Sequence, residues 1–267
     1  KMVKKVGIIN IDDPYSKRIL DAMKVKAVTY GFSMDADIRP DDIRMGINGI
    51  SFKAVTPKGI FPVESKLTGK YNIKNILSAI GVGQGLGFDN SIIADGIRAV
   101  ESGSGRFEKI DEGQDFAVVV DYAHTEDALK RLLEAAKEFA KGRIITVFGC
   151  GGDRDKGKRP KMGEAAGKLS DIVIITSDNP RSEDPIEIIK AIEEGIKGIK
   201  NGRPRDYLIM PDRREAIYKA IGLAKKDDIV VIARKGHEDY QIIGDKKIHF
   251  DDREMAREAI KTVVSRK

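Results

Sequence analysis

From Phe116 onward this 267-residue chain alternates short apolar runs with amphipathic stretches, and that alternation narrows the possible folds more than any other feature. The apolar runs are 116–120, 143–148, 171–176, 207–210 and 228–233. They are rich in Val and Ile and nearly unbroken, as strands of a parallel sheet covered on both faces must be. Between them lie the stretches 125–140, 158–169, 185–199 and 213–224. In the first of these, Ala128, Leu129, Leu132, Leu133, Ala136 and Phe139 recur at helical spacing. Strand and helix repeated in this way predict a Rossmann-like, doubly wound α/β domain. Residues 240–250 then set Gly244-Asp245 between two apolar runs, a hairpin signal, and a last helix is expected from Asp252.

The first hundred residues read differently. A strand is expected over 6–11, a helix over 14–23 and a second short strand over 27–30. Residues 38–67 carry turn signals, Asn48-Gly49 and Pro57-Lys58-Gly59, between alternating segments, so antiparallel hairpins are expected there. Helices follow over 71–86 and 91–100. The polar segment Glu101-Ser102-Gly103-Ser104-Gly105 reads as an interdomain linker, which divides the chain into 1–105 and 106–267. Residues 1–105 are too few and too irregular for a complete α/β domain and read as the tail of a partial one.

Composition removes several function classes. No run approaches the roughly 20 apolar residues of a membrane span, so no membrane partner is expected. One cysteine excludes an internal disulfide and suits a reducing, cytoplasmic setting. The three histidines have no ligand-like spacing, and no metal site is expected. A net charge of +6 raises the question of nucleic acid, but the basic residues are interspersed with 42 acidic ones and aromatics are only 6%. No basic stretch carries interleaved stacking residues, so no nucleic-acid partner is expected.

Four expected strand ends carry charged residues. The run Phe148-Gly149-Cys150-Gly151-Gly152-Asp153-Arg154-Asp155-Lys156-Gly157-Lys158-Arg159-Pro160 follows a strand and opens a helix, where backbone amides favour an anion. It matches neither a P-loop nor a clean dinucleotide fingerprint. It is either a turn whose glycines serve geometry or a site for a carboxylate or phosphate. Asp178-Asn179-Pro180-Arg181 follows the third strand. Asp178 can take an ammonium and Arg181 can hold a carboxylate bidentately, a set suited to a zwitterion, unless the segment is only an Asx-turn. Arg234-Lys235-Gly236-His237-Glu238 ends the fifth strand. His237 and His124 are the candidate general bases, and Glu238 is a candidate partner for a substrate ammonium. At the end of the first strand Asp121 can accept from ribose hydroxyls, and Thr125 is a good helix N-cap.

Taken in order, these segments resemble the Mur ligase family, in particular its UDP-N-acetylmuramoyl-tripeptide synthetases. The resemblance rests on Gly105-Arg106-Phe107-Glu108, Asp121-Tyr122-Ala123-His124-Thr125-Glu126-Asp127, the 149–160 run, Asp178–Arg181 and Lys235-Gly236-His237-Glu238-Asp239-Tyr240-Gln241. Upstream, Asn10-Ile11-Asp12-Asp13-Pro14 and Gly69-Lys70-Tyr71-Asn72-Ile73-Lys74-Asn75 resemble the end of the family's central ATPase domain. The resemblance implies an ATP- and Mg2+-dependent ligase that activates the γ-carboxylate of UDP-N-acetylmuramoyl-L-alanyl-D-glutamate as an acyl phosphate. The amine of a third amino acid then attacks it. It implies an amino-acid site at Arg154, Asp178, Asn179, Pro180, Arg181, Arg234 and Glu238, with Asp-Asn-Pro-Arg being the version found with meso-diaminopimelate rather than lysine. It also implies nucleotide contacts at Asn72, Asn75, Arg106, Asp121 and His124.

Two departures from the family bear on this reading. Arg234 stands where the family has glycine, and its side chain is expected to crowd or re-aim the pocket. No P-loop, magnesium-binding Glu motif, carbamoylated lysine or UDP-binding domain precedes residue 1. The chain alone is therefore expected to be inactive and to bind neither ATP nor Mg2+ tightly. The alternatives within the same chemistry are a lysine-adding enzyme, an archaeal pseudomurein ligase or a folylpolyglutamate synthase, the last disfavoured by Asp178–Arg181. Outside it stands a non-catalytic protein that binds an amino acid or a cell-wall precursor.

Overall fold

The computed structural model describes residues 5–46, 48–100, 105–199 and 206–265. They form two compact units, residues 1–102 and 103–267. Residues 101–104 of the expected linker lie outside the described residues.

In the first unit, strands β1 (Val6–Asn10) and β2 (Lys26–Tyr30) pair in parallel around helix α1 (Ser16–Ala22). Strands β3 (Arg39–Gly46), β4 (Gly49–Thr56) and β5 (Gly59–Ser65) form the antiparallel sheet that the turn signals predicted. Helices α2 (Lys70–Leu86) and α3 (Asn90–Ala99) complete the unit. Ile73, Ile76, Leu77 and Ile80 share one face of α2 by their three- and four-residue spacing and are buried with Phe52, Phe61 and Val63 of the sheet.

The second unit is built on a six-stranded sheet in the order β10-β9-β8-β11-β7-β6. The strands are β6 (Glu108–Ile110), β7 (Ala117–Asp121), β8 (Ile144–Phe148), β9 (Ile172–Ile175), β10 (Asp206–Ile209) and β11 (Ile229–Ala233). Five are parallel, and β6 adds an antiparallel edge beside β7. The helices are α4 (Glu126–Phe139), α5 (Lys158–Leu169), α6 (Pro185–Lys197), α7 (Arg213–Leu223) and α8 (Asp252–Val264). Each expected strand and helix is present to within two or three residues at its ends. Their starts follow capping chemistry: Thr125 accepts from the Ala128 amide, Asp184 with Pro185 opens α6, and Asp212 and Asp251 cap α7 and α8.

Strand β11, last of the parallel set, inserts between β7 and β8. Chain direction across the sheet reverses there, and right-handed crossovers then put α7 on the face opposite α4, α5 and α6. One apolar layer holds Val118, Val120, Ile145, Val147, Val230 and Ile232 against Ala216, Ile217, Ala220 and Ile221 of α7 and Ala256, Ala259 and Ile260 of α8. At the amino ends of the strands Asp228 ties β11 to β8 through the Arg143 amide and guanidinium. The carboxyl ends of β7, β8, β9 and β11 converge on the opposite edge, where ligands of open α/β sheets bind. Strands β12 (Tyr240–Ile243) and β13 (Lys246–His249) form the expected hairpin. Among the described residues, no helix is long and apolar enough to cross a membrane.

Candidate functional site

The turn after β9 is fastened from two sides. From one side the β12–β13 hairpin docks on it: the Arg181 amide donates to the Ile242 carbonyl at 3.2 Å, and the Gly244 amide donates to the Arg181 carbonyl at 2.9 Å. Gln241 Nε2 donates to the Asp178 carbonyl at 2.6 Å. From the other side comes the turn after β8. The Gly152 amide donates to the Asn179 carbonyl at 2.9 Å, and a Cβ on Gly152 would lie 1.9 Å from the buried Pro180 carbonyl oxygen. Only glycine allows the two turns to lie this close.

Asn179 sits at the centre, 1% exposed. Its Oδ1 accepts from Lys235 Nζ at 3.1 Å and from the Ile242 amide at 3.0 Å. With both donors on the oxygen, the amide nitrogen is left to donate to Glu238 Oε2 at 3.0 Å. The ends of β9 and β11 are thereby joined through side chains 59 residues apart in sequence. Lys235 is fully buried, bonded also to the Tyr240 carbonyl and set over the rings of Tyr240 and Phe250. Burial pushes its pKa down against the opposing pull of Asp178.

Asp178 is fully buried as well. Burial works against its carboxylate, but Arg234, Lys235 and Arg213 outweigh it and hold the group below the usual carboxylate range. The nearest cation is Arg234, whose Nε lies 3.1 Å from Oδ2; Lys235 Nζ is 3.6 Å from Oδ1. The Arg234 contact is an ion pair lying off the hydrogen-bond axis; neither carboxylate oxygen has a donor in good hydrogen-bond geometry, and the nearby Asn179 amide adds only a weak pull. Arg181, half-buried, donates to the Gly152 carbonyl at 2.8 Å and has no carboxylate within ion-pairing distance among the described residues. Behind the site Arg213 is buried in a bidentate pair with Asp252, at 2.7 and 2.6 Å, and donates to the Ala233 carbonyl at 3.0 Å.

The turn after β8 divides its cations between structural and free ones. Arg159 is buried and pairs bidentately with Glu183 at 3.0 and 2.8 Å. Hydrogen bonding to Arg159 brings the Glu183 pKa down to about 2. Lys156 also faces Glu183, and Lys158 donates to the His124 carbonyl at 2.9 Å. Arg154 is exposed and, among the described residues, bonded only to the Asp153 carbonyl. Cys150 is a buried thiol against the Met162 sulfur, and burial pushes its pKa up to about 11, so it offers no nucleophile.

Comparisons with known proteins identify the family of the chain. The Mur ligase middle domain matches residues 1–83, and the Mur ligase glutamate ligase domain matches residues 105–236. The chain belongs to the Mur ligase family. It is 47% identical over 260 residues to the UDP-N-acetylmuramoyl-L-alanyl-D-glutamate--2,6-diaminopimelate ligase of Caldanaerobacter subterraneus subsp. tengcongensis, covering 97% of this chain and 53% of that protein. It is 47% identical over 259 residues to the corresponding ligase 1 of Clostridium acetobutylicum, covering 96% of this chain and 52% of that protein. A solved structure of a ligase of the same name superposes with a TM-score of 0.71 at 38% identity, covering 97% of this chain and 53% of that one. The chain thus spans about half the length of the curated relatives it matches.

At the end of β7 in this Mur ligase chain, Asp121 accepts from the Phe107 and Ala123 amides, both at 2.7 Å. Burial nevertheless pushes its pKa up, against those bonds and the charge of exposed Arg106. His124 faces the Tyr122 carbonyl through Nδ1 at 3.1 Å, and the rings of His124 and exposed His237 both pack on Tyr122 at 4.8 Å. Among the described residues neither histidine meets a carboxylate that would orient it as a general base. In the first unit Asn72 and Asn75 lie in the opening turns of α2: Asn72 donates to the Thr68 carbonyl at 2.7 Å, and Asn75 to Asn72 Oδ1 at 3.0 Å. Among the described residues no three His, Cys, Asp or Glu side chains converge as a metal site.

Two residues that join the strand ends escape sequence reading. Lys235 looks like another surface cation, although it directly follows a wholly apolar strand. Arg213 looks like the first turn of a solvated helix, although Asp252 opens the neighbouring helix at the same end of the unit.

Proposed function

We propose that this chain carries the amino-acid-binding part of an ATP-dependent ligase that joins meso-diaminopimelate to UDP-N-acetylmuramoyl-L-alanyl-D-glutamate in peptidoglycan precursor synthesis. Residues 1–105 are the carboxy-terminal part of its central ATPase domain and 106–267 its amino-acid domain. The observation that carries the reading is the joining of Asp178–Arg181 to Glu238 through the Asn179–Glu238 bond, which sets a carboxylate acceptor beside guanidinium donors. The names of the relatives support the same substrates.

meso-Diaminopimelate has two α-amino acid centres. One centre is gripped: its carboxylate by Arg181, with Arg154 at the rim, and its ammonium by Glu238. The amine of the other centre stays free to lose a proton and attack the activated γ-carboxylate, and phosphate leaves as the tetrahedral intermediate collapses. ATP and Mg2+ supply the activation when bound, by positioning and charge neutralisation at the transferred phosphoryl group. Asn72, Asn75, Arg106, Asp121 and His124 are the residues assigned to the nucleotide, Asp121 keeping a free lone pair on each oxygen for hydroxyl donors. Among the described residues no carboxylate cluster fits Mg2+. ATP consumption places the reaction in the cytoplasm.

At its natural length, the protein given ATP, Mg2+, the UDP-linked dipeptide and meso-diaminopimelate is expected to form the tripeptide with stoichiometric ADP release, resolved by liquid chromatography. L-Lysine is expected to give at least about tenfold less product, the size of one lost charge-assisted contact. Equal or better use of lysine refutes the choice of amino acid, and no amino-acid-dependent ADP release refutes the ligase.

A further inference from the structure

Arg234 combines three features that a structural surface cation does not have. Its backbone φ is +107°, a region that side-chain-bearing residues rarely occupy. That conformation is fixed from both sides: the Arg234 amide donates to the Asp121 carbonyl at 2.9 Å, and Arg213 holds the preceding Ala233 carbonyl at 3.0 Å. Strain of this kind persists only where the surroundings over-determine it, and it clusters at functional sites.

The second feature is an unfinished set of hydrogen bonds. The Arg234 side chain is 7% exposed. Its Nε is sealed beside Asp178 without a hydrogen bond, and its two terminal nitrogens make none within the protein either, among the described residues. Only Nε is shut off from water; the terminal nitrogens reach solvent and offer four N–H donors in a planar fork that no protein acceptor among the described residues takes up.

The third feature is its aim. A Cβ built on Gly151 would lie 2.7 Å from Arg234 Nη2 and 3.0 Å from Arg181 Nη1. The two guanidinium groups therefore meet over one glycine, no further apart than the sum of those distances. Asp178 balances only one of them.

We infer that Arg234 and Arg181 form a paired-guanidinium clamp for one carboxylate of the incoming amino acid, with Asp178 serving as the counter-ion of Arg234 rather than as the receptor of a ligand ammonium. The inference rests on the amino-acid site proposed above. It assigns the ammonium to Glu238 alone and makes Arg234 a specificity-determining residue for amino acids that carry a carboxylate at the gripped end. The same side chain read as an obstruction gives the opposite forecast, because its removal would then open the pocket.

The test is calorimetric titration of this chain and its Arg234→Gln and Arg234→Gly variants with meso-diaminopimelate and with L-lysine. Arg234→Gln keeps a polar amide near the Nε position but removes the charge and the terminal fork, and Arg234→Gly suits φ +107°; folding of both is checked by amide spectra. Both variants are expected to weaken meso-diaminopimelate binding at least about tenfold and to change lysine binding less than about threefold. Unchanged or tighter meso-diaminopimelate binding in Arg234→Gly overturns the clamp and leaves the amino-acid site standing. A wild-type chain that binds neither amino acid overturns the site itself, and the clamp with it.

Discussion

Replacing Arg213 by Met is expected to destabilise the second unit by about 3–5 kcal/mol, the usual cost of removing one partner of a buried ion pair. Arg213 is fully buried, bidentate on Asp252, and the donor to the Ala233 carbonyl. The substitution leaves the Asp252 carboxylate, itself 0% exposed, without a counter-charge, and leaves the last carbonyl of β11 unbonded. Native-state hydrogen exchange of the β11 amides in the intact chain reads the loss locally, without assuming that both units unfold together. Replacing both partners, Arg213→Met with Asp252→Leu, is expected to recover most of it, because no isolated charge then remains. A loss below about 1 kcal/mol in the single variant would mean that water reaches Asp252 and that β11 does not depend on this pair.

The second large effect concerns amino-acid choice. Arg181→Ala is expected to cost about 10- to 150-fold in affinity for meso-diaminopimelate, the span of 1.5–3 kcal/mol for a charge-assisted hydrogen bond. Lysine, with no carboxylate at its distal end, should lose little. Arg181 occupies φ +52°, and alanine bears the same backbone cost as arginine there, so the change isolates the guanidinium. Among the described residues its protein acceptors are the Gly152 and Asn179 carbonyls, at 2.8 and 3.5 Å, which leaves the other donors of the fork for a ligand. Arg181→Lys should not restore affinity, because an ammonium cannot reproduce the planar two-donor geometry. An equal loss for both amino acids would show that Arg181 supports the loop and does not select the ligand.

Most of the architecture was legible in the sequence because its signals are local. Val118–Val120, Ile144–Ile145 and Ile229–Ile232 are β-branched runs that only a strand buried on both faces explains. Gly244-Asp245 marked the hairpin. Strand order was not legible: an apolar run says that a strand is buried but not which strands flank it, so nothing pointed to β11 between β7 and β8. Strand β6 has three residues, too few for any periodicity.

The site was legible as four charged strand ends but not as a network. Arg159 and Arg154 look alike in sequence, yet one is buried on Glu183 and the other is exposed. Asp178 was expected to be able to take a ligand ammonium; its ion-pair contacts are instead with Arg234 and Lys235 of the protein itself. For Arg234 the signal was the family glycine at that position, since a glycine often marks a positive φ, and the arginine here keeps that conformation. Its partner depends on a contact 56 residues away that no local pattern encodes.

The most direct measurement is an amide-resolved nuclear magnetic resonance titration of the wild-type chain with meso-diaminopimelate and, separately, with L-lysine. Tighter binding of meso-diaminopimelate, with the largest shifts at 178–181 and 234–238, is the expected result. Shifts confined to other segments, or lysine bound as tightly, would contradict an amino-acid site at the ends of β9 and β11.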